Sequence, residues 1–184
     1  TPETQFYTDE MHPKDLSDGD VTALNRLHTR INDGSTYWHK HLEGSYFPKA
    51  IIRRDDPDKT PLWYVDNGER KLERSVHCNT LVVRWVARER GITLAGLDSY
   101  ELIDPIPVEI MKREVRATMR DWGLELLSGK YQLTNTWAWA FATLIYCRML
   151  HSLLIGRIES KLMGARFAKI NLDPRWHDLI NRAL

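Results

Sequence analysis

Gly44-Ser45 is followed, after ten residues, by Asp56-Pro57-Asp58. Two carboxylates two residues apart on a strand face the same side and can hold magnesium against nucleotide phosphates. Here the pair runs straight into Lys59-Thr60-Pro61 with no apolar strand residues beside it, so these neighbours read as a solvated turn. His39 and His41 flank Lys40 with no third ligand close by, and His28, His77, His151 and His177 are scattered, so no metal site is expected. Cys78 and Cys147 follow no nucleophile pattern and read as core thiols. Glu43, in Leu42-Glu43-Gly44-Ser45-Tyr46, is a lone acid on a strand, either an exposed strand residue or a general base. Arg148 lies in an apolar stretch and needs an anionic partner. That partner is a carboxylate such as Glu159 or Asp173, or else a polyphosphate gripped together with Arg157 and Lys161. Trp122, Trp137 and Trp139 gather near the start of the same stretch, as core packing or as a platform for a cationic or sugar-like ligand.

The elements that must carry these groups can be read from periodicity and punctuation. Residues 1–16 are polar and irregular and read as loop. Ser17 can cap a helix with Asp20 in its first turn, and Val21, Leu24, Leu27, His28 and Ile31 follow at helical spacing. Residues 42–54 predict one or two short strands with Pro48 at an edge or bend, and Leu62–Val65 predicts another before an Asp66-Asn67-Gly68 hairpin tip. Leu81–Ala87 reads as helix closing on Gly91, and Ile92–Gly96 as a short strand. Asp104-Pro105-Ile106-Pro107 marks a domain boundary, because two prolines cannot sit inside a helix. Beyond it helices are expected over Val108–Trp122, Trp137–Ile155, Ser160–Ile170 and Arg175–Leu184, with Trp137–Ile155 as a buried central helix. That run is long enough to span a membrane, but Arg148 and His151 in it argue against one.

Composition bounds the classes of function. The chain has 184 residues, is 42% hydrophobic and 28% charged, and carries 26 basic against 25 acidic side chains. Collagen-like, low-complexity and disordered readings are excluded. A net charge of +1 gives no global field, so neither nucleic acid nor a membrane is expected as a partner. With two cysteines and no signal-peptide pattern, a reducing cytoplasmic setting is expected.

Gly91-Ile92-Thr93-Leu94-Ala95-Gly96, then Leu102-Ile103-Asp104-Pro105-Ile106-Pro107, then a helix ending in Trp122, resembles the middle of the streptomycin/spectinomycin adenylyltransferase family. Cys147-Arg148, Gly156-Arg157-Ile158-Glu159-Ser160-Lys161 and Arg175-Trp176-His177 are similar to that family's C-terminal helical domain, and Leu42–Tyr46 to a strand of its relatives. The resemblance implies an α+β protein: a partial nucleotidyltransferase α/β segment over 1–104, followed by an all-α helical bundle over 105–184. It implies ATP- and magnesium-dependent transfer of AMP to a hydroxyl of an aminoglycoside, an aminocyclitol or a similar small alcohol. Glu43 falls where such enzymes carry the base, and Arg148 and Lys161 where they reach the nucleotide phosphates. Those relatives place acidic residues just before the central helix; here Trp137 and Trp139 stand there as the expected substrate-binding residues, which departs from a site built for a cationic drug. The family's Gly-Ser turn and Asp-x-Asp pair would lie before Thr1, so the expectation is a monomeric piece of a longer adenylyltransferase, inactive alone, with no metal ligands of its own. Two other readings stand beside it: a noncatalytic nucleotide-binding or interaction domain that kept the scaffold, and a nuclease- or polymerase-like enzyme using Asp56 and Asp58.

Overall fold

The computed structural model describes residues 4–7, 15–130 and 133–184. The protein is mixed α and β with a helical majority, and it divides into two compact units, Thr1–Pro105 and Ile106–Leu184. The irregular N-terminal reading is corrected in part: Thr4–Tyr7 form strand β1, while residues 1–3 and 8–14 lie outside the described residues.

Unit 1 is built on a sheet in the order β1-β2-β3-β4. Strands β2 (Gly44–Phe47), β3 (Leu62–Val65) and β4 (Glu73–Ser75) pair antiparallel, and β1 joins β2 in parallel. Helix α1 (Asp18–Asn32) begins as its sequence demands: Ser17 accepts from the Asp20 N–H while the Asp20 carboxylate accepts from the Ser17 N–H. It meets one face of the sheet through buried His28, whose Nε2 lies 2.8 Å from the Tyr46 hydroxyl. The other face carries Ser45, Phe47, Leu62 and Tyr64, since residues directly opposed in an antiparallel pair share a side. Phe47 and Leu62 pack there with Ile52, Leu102 and Ile103. The expectation of strands over 42–54 holds only to Phe47; after Pro48 the chain turns into α2 (Lys49–Ile52), which seats Ile52 in that core.

Helix α3 (Leu81–Arg90) is capped by Thr80 and buries Leu81, Arg84, Trp85 and Arg88, a single stripe at helical spacing. The expected strand at Ile92–Gly96 is absent: the segment is irregular, with Ile92 85% and Leu94 91% exposed. Arg88 explains why no strand is needed. Its guanidinium lies over the Tyr100 ring and donates to the carbonyls of Tyr100 and Ile103, so this loop and α4 (Ser99–Leu102) are tied to α3 by a side chain rather than a ladder.

Unit 2 consists of α5 (Val108–Leu127), α6 (Thr136–Ile155), α7 (Lys161–Asn171), a 3-10 turn at Pro174–Trp176 and α8 (His177–Ala183). Its core joins Cys147 to Ala165, Ala168 and Ile180, edged by Leu144 and Leu172. Gly164 lets α7 touch α6 directly: a Cβ there would sit 2.6 Å from the Arg148 Cα. Helix α6 is long and apolar enough to cross a membrane by length and composition alone. The expectation of a buried central helix is corrected, because along α6 only Ala142, Ile145, Cys147, His151 and Ser152 are buried, while Trp137, Trp139, Leu154 and Ile155 are exposed. A run apolar on every side cannot reveal which side is covered.

Asp56 stands in a turn, not on a strand, and Asp58 is exposed, so the pair makes no metal-binding strand face. The Asp56 carboxylate accepts from the Thr60 N–H at 2.8 Å and from Asn79 Nδ2 at 2.7 Å; Asn79 in turn accepts from Arg84 through Oδ1. Burial alone pushes the Asp56 carboxyl up, but the Asn79 and Thr60 hydrogen bonds and the Arg84 charge together hold it below its usual range. A lowered carboxyl contributes stability above its unfolded-state value and loses it as pH falls through the folded one. Denaturant unfolding should therefore show an acid-side loss of unit 1 stability that Asp56→Asn reduces. Asn79→Ala, which strips a partner from both Asp56 and Arg84, should cost about 3 kcal/mol at neutral pH.

Candidate functional site

Glu43 immediately precedes β2 instead of lying on it. Gly44 is paired with Val65, so Glu43 and Asp66 flank the same end of the β2–β3 ladder. The turn beyond β3 holds that end in place. Asn67 has φ 27° and Gly68 φ 82°, both in the left-handed region. The Gly68 N–H donates to the Leu42 carbonyl at 2.7 Å, the Gly68 carbonyl accepts from Asn32 Nδ2, and Asn67 Oδ1 lies 3.1 Å from His41 Nδ1. The segment carrying Glu43 is thus clamped from α1 and from the β3–β4 connection together. A Cβ at Gly68 would meet the Lys40 carbonyl oxygen at 2.3 Å.

Tyr64, on β3 opposite Ser45, is the centre of the site. Its hydroxyl lies 2.5 Å from Glu43 Oε1 and 3.1 Å from Asp66 Oδ1, and the ring is 4% exposed. His77 packs edge-on against the Tyr64 ring, with Nε2 3.8 Å from Glu43 Oε1 and 3.3 Å from the buried Cys78 Sγ. Burial, and next the Glu43 hydrogen bond and the negative charge of Glu43 and Asp66, push the Tyr64 phenol far above its ordinary value. Tyr64 is therefore a permanent donor. The Glu43 side chain remains 20% exposed, so solvent or a substrate hydroxyl can reach it. Chemically this is a reachable carboxylate with one oxygen fixed, which is what a general base requires.

The remaining sequence-predicted residues belong to unit 2. Lys161 is the first residue of α7, behind the Ser160 cap, and its ammonium sits 4.5 Å from the centre of the Phe141 ring. Phe141 stacks on Trp137 at 5.1 Å and meets Trp122 edge-on at 6.2 Å; Trp122 stacks on Tyr146. The structure so brings Lys161 and Trp137 to one aromatic group. Trp139, two residues on and thus on the opposite side of the helix, borders a separate open depression of about 570 Å3 with Asn135, Thr143, Leu179 and Arg182. Arg148 is half-buried where α6 passes under Gly164.

Sequence reasoning missed Tyr64, Asp66 and His77. The available signal was the hairpin: a Tyr two residues before an Asp-Asn-Gly turn shares a face with that Asp. Among the described residues no three His, Cys, Asp or Glu side chains are grouped to hold a metal ion. His39 is engaged with Thr36 and His41 with Asn67. The chain matches no protein-family model and no curated protein.

Glu43 contributes directly to the Tyr64 shift, so Glu43→Gln should bring Tyr64 ionisation down toward the ordinary tyrosine range. Carbon-13 NMR of ring-labelled tyrosine across an alkaline titration reads this. Gly68→Ala should destabilise unit 1 by more than about 1 kcal/mol, since a side chain is strained at that φ and collides with backbone. Thermal unfolding measures it.

Proposed function

We propose that this chain is part of an ATP-dependent adenylyltransferase that moves AMP onto a hydroxyl of a small alcohol, with Glu43 as the general base. The observation that carries the reading is the geometry of Glu43: a reachable carboxylate at the end of β2, clamped by the Gly68 turn and fixed through Oε1 by a phenol that stays protonated. In an in-line displacement the base takes the proton of the attacking hydroxyl as oxygen bonds to the α-phosphorus and pyrophosphate leaves. Lys161, at the amino end of α7, offers a charge and helix N–H groups suited to a polyphosphate. Arg148 is assigned the same task. Trp137 is assigned to the acceptor and supplies exposed flat apolar surface, which suits a neutral sugar-like alcohol better than a polycationic drug; Trp139, on the opposite side of α6, does not join it there.

Magnesium would serve such a reaction by neutralising the phosphates. Among the described residues no three metal-binding side chains are grouped, and no step is assigned through the metal.

The test is pyrophosphate release from ATP and magnesium by the longer protein that contains this chain, against a panel of sugar, aminocyclitol and aminoglycoside alcohols. Acceptor-dependent release is expected. Glu43→Gln should lower turnover by roughly 10²–10⁴-fold, and Lys161→Ala should raise the KM for ATP. Full turnover by the Glu43→Gln protein would sink the assignment. Calorimetric ATP binding without release in any acceptor would favour a noncatalytic nucleotide-binding domain.

A further inference from the structure

We infer that Tyr64 is a positioning residue for Glu43, fixing one carboxylate oxygen while Glu43 is charged and turning its O–H to Asp66 once Glu43 has taken up a proton. The inference rests on the reading of Glu43 as the base.

The argument starts from a proton count. The Tyr64 oxygen lies within hydrogen-bonding distance of both Glu43 Oε1, at 2.5 Å, and Asp66 Oδ1, at 3.1 Å. A phenol has one hydrogen, so it donates to one carboxylate at a time. The shorter contact puts that hydrogen on Glu43 in the resting state, which leaves Oε2 as the oxygen able to receive a proton. The phenol keeps its own proton, because burial and the two flanking carboxylates oppose a third negative charge there.

Proton uptake reverses the preference. The acceptor O–H bond breaks and an O–H bond forms on Glu43; the electron pair released on the acceptor oxygen goes to phosphorus, and pyrophosphate leaves with the electrons of the broken phosphorus–oxygen bond. Glu43 is then neutral while Asp66 still carries its charge. A hydrogen bond to the charged carboxylate is the stronger one, so the phenol O–H rotates about its C–O bond from Oε1 to Asp66. No proton leaves Tyr64. Both carboxylates sit at one end of the β2–β3 ladder, with the phenol rising from the strand between them, so the exchange needs only that rotation. A brace for the fold would need one of these carboxylates, and the second is what gives the hydroxyl two positions.

The exchange can be read on this chain without an acceptor. Carbon-13 NMR of side-chain carboxyls is recorded with Glu43→Gln standing in for neutral Glu43. The Asp66 carboxyl resonance should move on Glu43→Gln, and the movement should vanish when Tyr64→Phe is already present. An Asp66 resonance that does not move, or that moves equally without the hydroxyl, overturns the inference. In the pyrophosphate assay Tyr64→Phe should lower kcat about a hundredfold with the KM for ATP unchanged. Tyr46→Phe removes a half-buried hydroxyl bonded to His28 on the opposite face of the sheet and should leave kcat intact. Equal loss in both variants would show a structural effect and overturn the positioning role, as would full kcat in Tyr64→Phe. Full turnover in Glu43→Gln would instead remove the base reading itself.

Discussion

A guanidinium with almost no access to water holds unit 1 together. Arg84 is 1% exposed, and a charge so enclosed is tolerable only if its donors are met. They are met by backbone and amide oxygens: the Ile51 carbonyl at 2.8 Å, the Thr80 carbonyl at 3.0 Å and Asn79 Oδ1 at 2.7 Å. The Phe47 ring lies against the guanidinium at 5.3 Å. The balancing charge is Asp56, reached through the Asn79 amide. One side chain of α3 thereby fixes the end of α2, the last residue of β2 and the segment that leads from β4 into α3. His77 and Cys78 stand in that segment, so the same constraint sets His77 against Tyr64. Arg88, one turn on, extends the arrangement to the Tyr100 and Ile103 carbonyls, and Asp104 closes the unit with ion pairs to Arg53 and Arg54.

The local signals that proved legible are those a few residues can satisfy alone. The Ser17 cap, the Leu62–Val65 strand, the Asp66-Asn67-Gly68 turn and the helix read over Leu81–Ala87 each follow from residues within one or two turns. The Ile92–Gly96 segment failed because apolar residues bounded by glycines look alike whether or not another strand is present to pair with them. Thr4–Tyr7 failed for the converse reason: a polar stretch becomes a strand when it gains β2 as a partner, and pairing lies outside the segment. In unit 2 the length of α6 was legible, but its covered side was not.

Glu43 was legible as a singular acid, but its surroundings were not. Tyr64 and Asp66 lie 21 and 23 positions further along the chain, and their approach depends on a register that pairs Gly44 with Val65. A slip of one residue would turn Tyr64 to the α1 side of the sheet and leave the two carboxylates without their common phenol. The register is held outside the strands, by the Gly68 N–H on the Leu42 carbonyl and by Asn32 on the Gly68 carbonyl. A turn that looks merely permissive in the sequence is thus what brings Glu43 and Asp66 to the same phenol.

The Asp-x-Asp motif shows the same logic inverted. Asp56 has the residue type and spacing of a metal ligand, but Pro57 and Lys59 at φ 48° bend the chain into a turn, and its oxygens meet the Thr60 amide and Asn79. Its charge answers a buried arginine. Glu43 has no such motif, and its neighbours leave it reachable. The two sets of carboxylates differ in what meets them: Asp56 is tied through Asn79 to the cation of the core, whereas Glu43 and Asp66 share the Tyr64 hydroxyl at the end of the sheet.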